Sequence, residues 1–183
     1  MELLIGCGNR RDRILIPPER PDEWEQLVVS DINPKHERPD DYRFDEWDLE
    51  KLPWPWDDNT FDEVHAYEVM EHLGRQGDYR SFFAHFYEIW RILKPGGWFC
   101  GTSPALSSNW LWGDPGHTRI ISLESLAFLC QRNYEDQVDK ASTPMTDYRF
   151  CWKGDFETST TLAQNVGKDP KRAVFVYMLR AKK

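Results

Sequence analysis

The chain has 183 residues, 40% of them hydrophobic and 30% charged, enough for one domain (1–183) that buries a core without disulfide or metal staples. Its formal net charge of −8 sets the surface field against phosphate backbones and anionic membranes, which argues against nucleic acid and membrane as partners. The four cysteines form no CxxC pair and have no histidine at zinc spacing, and no apolar run is longer than a strand, so a disulfide scaffold, a zinc module and a membrane span are excluded and a cytoplasmic protein is expected.

Residues 2–6 read as a buried strand that Gly6-Cys7-Gly8 turns sharply. The crossover that follows holds Pro17, Pro18 and Pro21, so a continuous helix is forbidden and at most a short one is expected around Asp22–Leu27. The second strand covers Leu27–Ser30 and ends at Asp31. From Asn33 to Asp45 the chain is a polar loop with at most a turn of helix, and a short third strand is expected over Phe44–Asp48. Leu52-Pro53-Trp54-Pro55-Trp56 is a stiff aromatic loop, followed by a turn at Asp57-Asp58-Asn59. Phe61–Glu68 is the fourth strand.

Asp78–Leu93 carries the clearest helical pattern, with Phe82, Phe83, Phe86, Trp90 and Leu93 on one face, and Lys94-Pro95-Gly96-Gly97 supplies its stop. Trp98–Thr102 is the fifth strand. A second helix is expected over Ser122–Gln131, capped by Ser122. Tyr148–Trp152 and Ala173–Ala181 read as strands with no helix-sized segment between them, hence antiparallel neighbours at a sheet edge. Strands alternating with helices and closing on such a pair define an α/β architecture.

A buried strand, a turn without side chains and an aspartate at the next strand's tip together suggest a nucleoside-binding half-site. The ordered series LLIGCGN, SDIN, DLEKLPWP, FDEVHAYEVMEHL and RILKPGGWFCGTSP resembles the motifs of class I S-adenosylmethionine-dependent methyltransferases, in particular the branch with a V-x-E-H-L segment after the fourth strand. The resemblance covers residues 2 to about 130. It implies a three-layer Rossmann-like fold, a mostly parallel sheet with an antiparallel C-terminal edge, and a first helix shortened or absent. It also implies S-adenosyl-L-methionine as cofactor, with Gly6 and Gly8 near its methionine part, Asp31 at the ribose, Asp48 and Leu49 at the adenine, Tyr67 and Glu68 beneath the methionine chain, and Cys7 and Ile32 among the other cofactor-binding residues. Two departures stand out. Arg10 replaces the usual third glycine, and the proline-rich crossover replaces the helix whose N-terminus normally helps hold an anion. Arg10 or Arg11 is expected to offset that loss by pairing with the cofactor carboxylate.

Methyl transfer from a sulfonium needs alignment and exclusion of water, and a general base only for a protonated acceptor. The candidates for that base are His72, beside Glu71, and His117; His36, His65 and His85 have weaker claims. The alternative role for either candidate is a hydrogen-bonding scaffold. No Asn/Asp-Pro-Pro-aromatic tetrad or Pro-Cys pair marks a DNA methyltransferase, and Cys7 and Cys100 are expected to be inert. No metal is expected, since of the carboxylates near the acceptor only Asp114 is well placed. The expected acceptor is a small molecule or an exposed group on a macromolecule. A strand starting at residue 2 leaves no helices for a lid, so either the pocket is open or a partner subunit covers it, as in a homodimer. The competing reading is a protein that binds S-adenosylmethionine or its demethylated product without transferase activity. A nicotinamide oxidoreductase is disfavoured, because the third glycine and the first helix are both missing.

Overall fold

A computed structural model of the chain describes residues 1–33, 42–166 and 169–183. Seven strands form one sheet: β1 (Glu2–Ile5), β2 (Leu27–Asp31), β3 (Arg43–Glu46), β4 (Phe61–Tyr67), β5 (Leu93–Pro104), β6 (Phe156–Val166) and β7 (Val174–Ala181), in the order β3-β2-β1-β4-β5-β7-β6. Strands β1 to β5 pair in parallel, and β7 runs antiparallel to both β5 and β6. The mostly parallel sheet with an antiparallel C-terminal edge is therefore as expected. Leu3, Leu4 and Ile5 are all buried, as a central parallel strand covered on both faces requires. Ile5 pairs with Ser30 on one side and Ala66 on the other. The ends of β1, β2 and β4 thus lie side by side where the strand order reverses, the place where open α/β sheets bind ligands.

One face is covered by helix α1 (Tyr79–Ile92), whose N-cap Asp78 accepts a hydrogen bond from the Ser81 amide at 3.1 Å. Phe83, Phe86, Ile89 and Ile92 of this helix are buried in the main core. The helix ends without the glycine cap read from the sequence. Leu93 is already extended (φ −69°, ψ 143°) and opens β5, because Lys94, preceding Pro95, is disfavoured in helical conformation. The aromatic loop is pinned to α1: the Trp54 amide donates to Glu88 (2.7 Å) and Arg91 donates to the Trp54 and Trp56 carbonyls (3.1 and 2.8 Å).

After β5 come three short helices, α2 (Trp110–Gly113), α3 (Leu123–Ala127) and α4 (Gln131–Tyr134), and a π turn at Glu135–Asp139. Ser122 caps α3 as expected, in a capping box with Ser125. The helix expected over Ser122–Gln131 nevertheless breaks. Leu129 gives its carbonyl to the Phe156 amide (2.9 Å) and the Trp152 indole (3.2 Å) rather than to a helical partner. The strand expected at Tyr148–Trp152 is instead a turn, its Tyr148 carbonyl accepting from the Cys151 and Trp152 amides. The edge strand is β6, whose polar, threonine-rich sequence hides it from hydrophobic periodicity.

The other face of the sheet carries no helix between β1 and β2, not even the short one expected near Asp22–Leu27. The irregular crossover of residues 6–26 lies there instead, held by charge. Glu63 and His65 of β4 and Glu2 of β1 are fully buried on this side. Arg13 places Nη2 2.7 and 2.6 Å from the two Glu63 oxygens. Arg20 joins Glu63 through Nε and Glu2 through Nη2 at 3.0 Å. The Tyr67 hydroxyl accepts the Ile14 and Leu15 amides, both at 3.2 Å, and donates to Nδ1 of His65 at 2.7 Å, so that Nε2 of His65 donates to Glu63 at 2.7 Å. No helix among the described residues is long and apolar enough to cross a membrane.

Candidate active site

Beyond Ile5 the backbone enters the left-handed region at Gly6 (φ 58°) and again at Gly8 (φ 50°), conformations that glycine adopts without steric cost. Gly6 is needed twice over, since a Cβ there would stand 2.6 Å from Cγ2 of Val69. The turn is fastened to the tip of β2. The Gly8 amide donates to Oδ2 of Asp31 at 2.8 Å, and the Asn33 amide donates to Oδ1 at 2.8 Å. Two backbone donors thus fix a carboxylate that is 9% exposed. At the tip of β4, Glu68 also adopts positive φ (57°), a strained conformation of the kind that collects at binding sites.

These tips enclose a cleft of about 310 Å³, within the size range of ligand pockets, roughly 300–1,000 Å³. Six of the residues named from the sequence for the cofactor meet there, Gly6, Asp31, Ile32, Asp48, Leu49 and Glu68, and so does His72, named as a candidate base. The sequence reading missed Trp47, Val69 and Leu73, which also line it; the pairing of Val69 with Gly6 is a contact between distant residues that no local pattern announces. Asp48 has a second task, accepting the Glu50 amide at 3.1 Å in a turn.

Five of the residues named from the sequence for the cofactor lie elsewhere. The Cys7 side chain packs with Leu4, Leu27, Val29 and Tyr67 behind the turn, and burial pushes its thiol up. Gly8 serves from behind, through its hydrogen bond to Asp31. Tyr67 does not lie beneath the cleft: its hydroxyl is committed to the crossover and His65, and burial raises it well above the ordinary phenol range. Arg10 is exposed and outside the cleft lining, though its charge reaches the Glu68 carboxyl. Arg11 is occupied with the turn itself, its Nη1 donating to the Gly8 and Arg10 carbonyls at 3.1 and 2.6 Å. His36 lies outside the described residues.

A second group of polar side chains adjoins the cleft. Met70–His72 forms a 3-10 turn zipped to the loop before α3, the Glu71 carbonyl accepting the Thr118 and Arg119 amides at 2.9 and 3.2 Å. This pairing brings His72 and His117 together, ring centroids 4.6 Å apart. His72 donates through Nδ1 to the Gly116 carbonyl (3.0 Å) and His117 to the Leu111 carbonyl (3.3 Å). Glu71 is 1% exposed and takes the Ser103 hydroxyl on Oε2 at 2.9 Å. Burial, reinforced by the Glu68 charge, pushes its carboxyl up to about 8. Burial likewise raises the Glu68 carboxyl. Asp114, expected to be the only carboxylate near the acceptor, is thus joined by Glu71 and Glu68; its own Oδ1 accepts the Gly116 amide at 2.7 Å.

Residues 3–101, more than half of the chain, match the family described as methyltransferase domain. The chain belongs to this family, the class I S-adenosylmethionine-dependent methyltransferases, whose cofactor is S-adenosylmethionine. Among solved structures it is similar to the N-methyltransferase NodS from Bradyrhizobium japonicum, crystallised with S-adenosyl-L-homocysteine (13% identity, 100% of this chain and 78% of that one, TM-score 0.57). It is also similar to a SAM-dependent methyltransferase from Archaeoglobus fulgidus (14% identity, 98% and 85% covered, TM-score 0.53) and to another from Methanosarcina mazei (15% identity, 99% and 92%, TM-score 0.54). At these identities the likeness is one of fold. A comparison with curated proteins finds no match.

Proposed function

We propose that this protein transfers a methyl group from S-adenosylmethionine to a small molecule or to an exposed group on a larger acceptor. The observation that carries the reading is the Gly8–Asp31 pair: a side-chain-free turn hydrogen-bonded to a carboxylate, at the reversal point of the sheet and facing a cleft of nucleoside size. The residues fit the cofactor. Gly6 leaves room for Val69 at the cleft wall, and Oε1 of Glu68 is buried without a hydrogen-bond partner, so an acceptor group is left for a ligand's donor. Asp31, whose carboxylate lines the cleft at the tip of β2, would receive the ribose hydroxyls. Asp48 and Leu49 would border the adenine, and Glu68 the amino end of the methionine part.

S-adenosylmethionine supplies the electrophilic methyl group. The chain's part is to hold the cofactor in one orientation and to bound the acceptor's approach, which is where most of the acceleration of such a displacement comes from. Isothermal calorimetry with S-adenosyl-L-homocysteine tests the binding half: saturable one-to-one binding is expected, and its absence from the folded protein would reject the reading. Transfer of a radiolabelled methyl group to components of a metabolite or cell extract tests the catalytic half.

A further inference from the structure

One carboxylate oxygen of Glu71 and one ring nitrogen each of His72 and His117 lie within 4.8 Å of one another. We propose that these three side chains bind a divalent transition-metal ion of the Zn²⁺ type, at the wall of the cleft that His72 also lines. The site goes beyond the methyltransferase reading and does not depend on it.

The chemistry of each ligand is already set. A carbonyl only accepts, so the Nδ1 atoms of His72 and His117, facing the Gly116 and Leu111 carbonyls, carry the protons. In the neutral rings the lone pair is then on Nε2, the tautomer that backbone carbonyls fix in metal-binding histidines. Glu71 is oriented in the same way: Ser103 donates to Oε2 at 2.9 Å and in turn stands 3.4 Å from the Tyr177 hydroxyl, which leaves Oε1 buried without a partner. A 1% exposed carboxylate oxygen with nothing to accept from is costly unless a cation or donor occupies the space before it.

Among the described residues no ion pair involves Glu71, and a divalent ion would bind its ionised form with release of a proton. Two imidazoles and one carboxylate favour a borderline first-row metal over Mg²⁺, which prefers oxygen ligands and retains its water. Metal–ligand bonds of about 2.0–2.2 Å require the three atoms to draw inward from their 4.8 Å limit. The exposed His72 and half-buried His117 rings have room to do so. Three protein ligands leave open positions suited to water or to an oxygen of the acceptor, such as a hydroxyl.

The test uses the full chain, stripped with a chelator and then titrated with Co²⁺, whose visible absorption reports coordination, and with Zn²⁺ in competition. One equivalent of Co²⁺ with a visible band, displaced by Zn²⁺, is expected. His117→Ala and His72→Ala, both at sites with solvent access, should each weaken Co²⁺ binding at least about tenfold while circular dichroism stays unchanged. Absence of saturable Co²⁺ binding to the folded chain, or binding that both variants retain at full strength, overturns the proposal. Calorimetry with S-adenosyl-L-homocysteine on the same samples separates the two readings: nucleoside binding without Co²⁺ binding rejects the metal site alone, and Co²⁺ binding without nucleoside binding rejects the cofactor cleft alone.

Discussion

Val69 occupies the space into which a side chain at Gly6 would grow, its Cγ2 2.6 Å from the position of a Cβ there, whereas nothing lies within 4 Å of the same position at Gly8. The two glycines share a left-handed backbone but not the same constraint. Gly8→Ala should cost about 1–2 kcal/mol, the strain of a left-handed non-glycine residue. Gly6→Ala adds overpacking of about 1–3 kcal/mol and should displace Val69 into the cleft. Urea denaturation of both variants measures the difference, and equal losses would show that the Val69 contact is not felt.

Asp31 joins the glycine turn to the floor of the cleft. Asp31→Ala should weaken S-adenosyl-L-homocysteine binding by about 1.5–3 kcal/mol, the scale of hydrogen bonds to a charged group. Calorimetry reads this directly, and unchanged affinity would remove Asp31 from the proposed ribose site.

Arg13, with a side chain 4% exposed, lies against Glu63, which is fully buried. Arg13→Ala removes one partner of the buried Glu63 charge and leaves Arg20 and His65 in place, so it should destabilise the fold by less than a fully stranded charge would, about 3–5 kcal/mol. Arg13→Met with Glu63→Gln keeps the volumes and removes both charges, and should recover much of the loss. A double change as damaging as Arg13→Ala alone would place the cost in packing rather than charge.

The same network sets a pH dependence. Burial holds His65 below the ordinary imidazole range despite the Glu63 carboxylate beside it. Burial pushes Glu63 the other way, but hydrogen bonds from His65 and Arg20 outweigh it and hold the carboxyl below its usual value. Both folded-state values are depressed, so the unfolded chain takes up protons first as pH falls. The stability these groups contribute is complete above about pH 6.5, the unfolded histidine value. It declines below that pH as His65 titrates in the unfolded state, and further below about 4.3 as Glu63 does. Urea midpoints from pH 8 to pH 4 should show the decline, and His65→Gln should flatten its first stage.

Much of the sheet was legible because its strands are short apolar runs closed by glycine or aspartate, as at Leu3–Gly6 and Val28–Asp31. Asp31, Asp48 and Glu68 were legible by their place at strand ends. Tyr67 was misplaced because alternation along β4 sends neighbouring side chains to opposite faces, and the Ile14 and Leu15 amides that claim its hydroxyl belong to a segment without periodicity. The strand expected at Tyr148–Trp152 failed for a related reason. Its aromatic residues satisfy a strand pattern, yet Tyr148 packs against Tyr79, Phe83 and Phe128 from a turn. The contact between the His72 turn and the His117 loop joins segments far apart in the chain through Glu71 backbone bonds, which residue identity does not encode.

Covering one face with hydrocarbon and the other with paired charges gives the two halves of the molecule different weaknesses. The heat capacity of unfolding should reside mainly on the α1 side, where Phe83, Phe86, Phe99 and Tyr177 are buried together, because apolar exposure governs that quantity. Acid strong enough to protonate Glu63, below the usual carboxylate range, should leave that side intact while loosening its grip on Arg13 and Arg20. Amide protons in residues 7–26 would then exchange through an opening in which α1 takes no part. The glycine turn is the first portion of that crossover, so the cleft's phosphate-free anchor inherits the stability of an ionic clasp rather than that of the oily core.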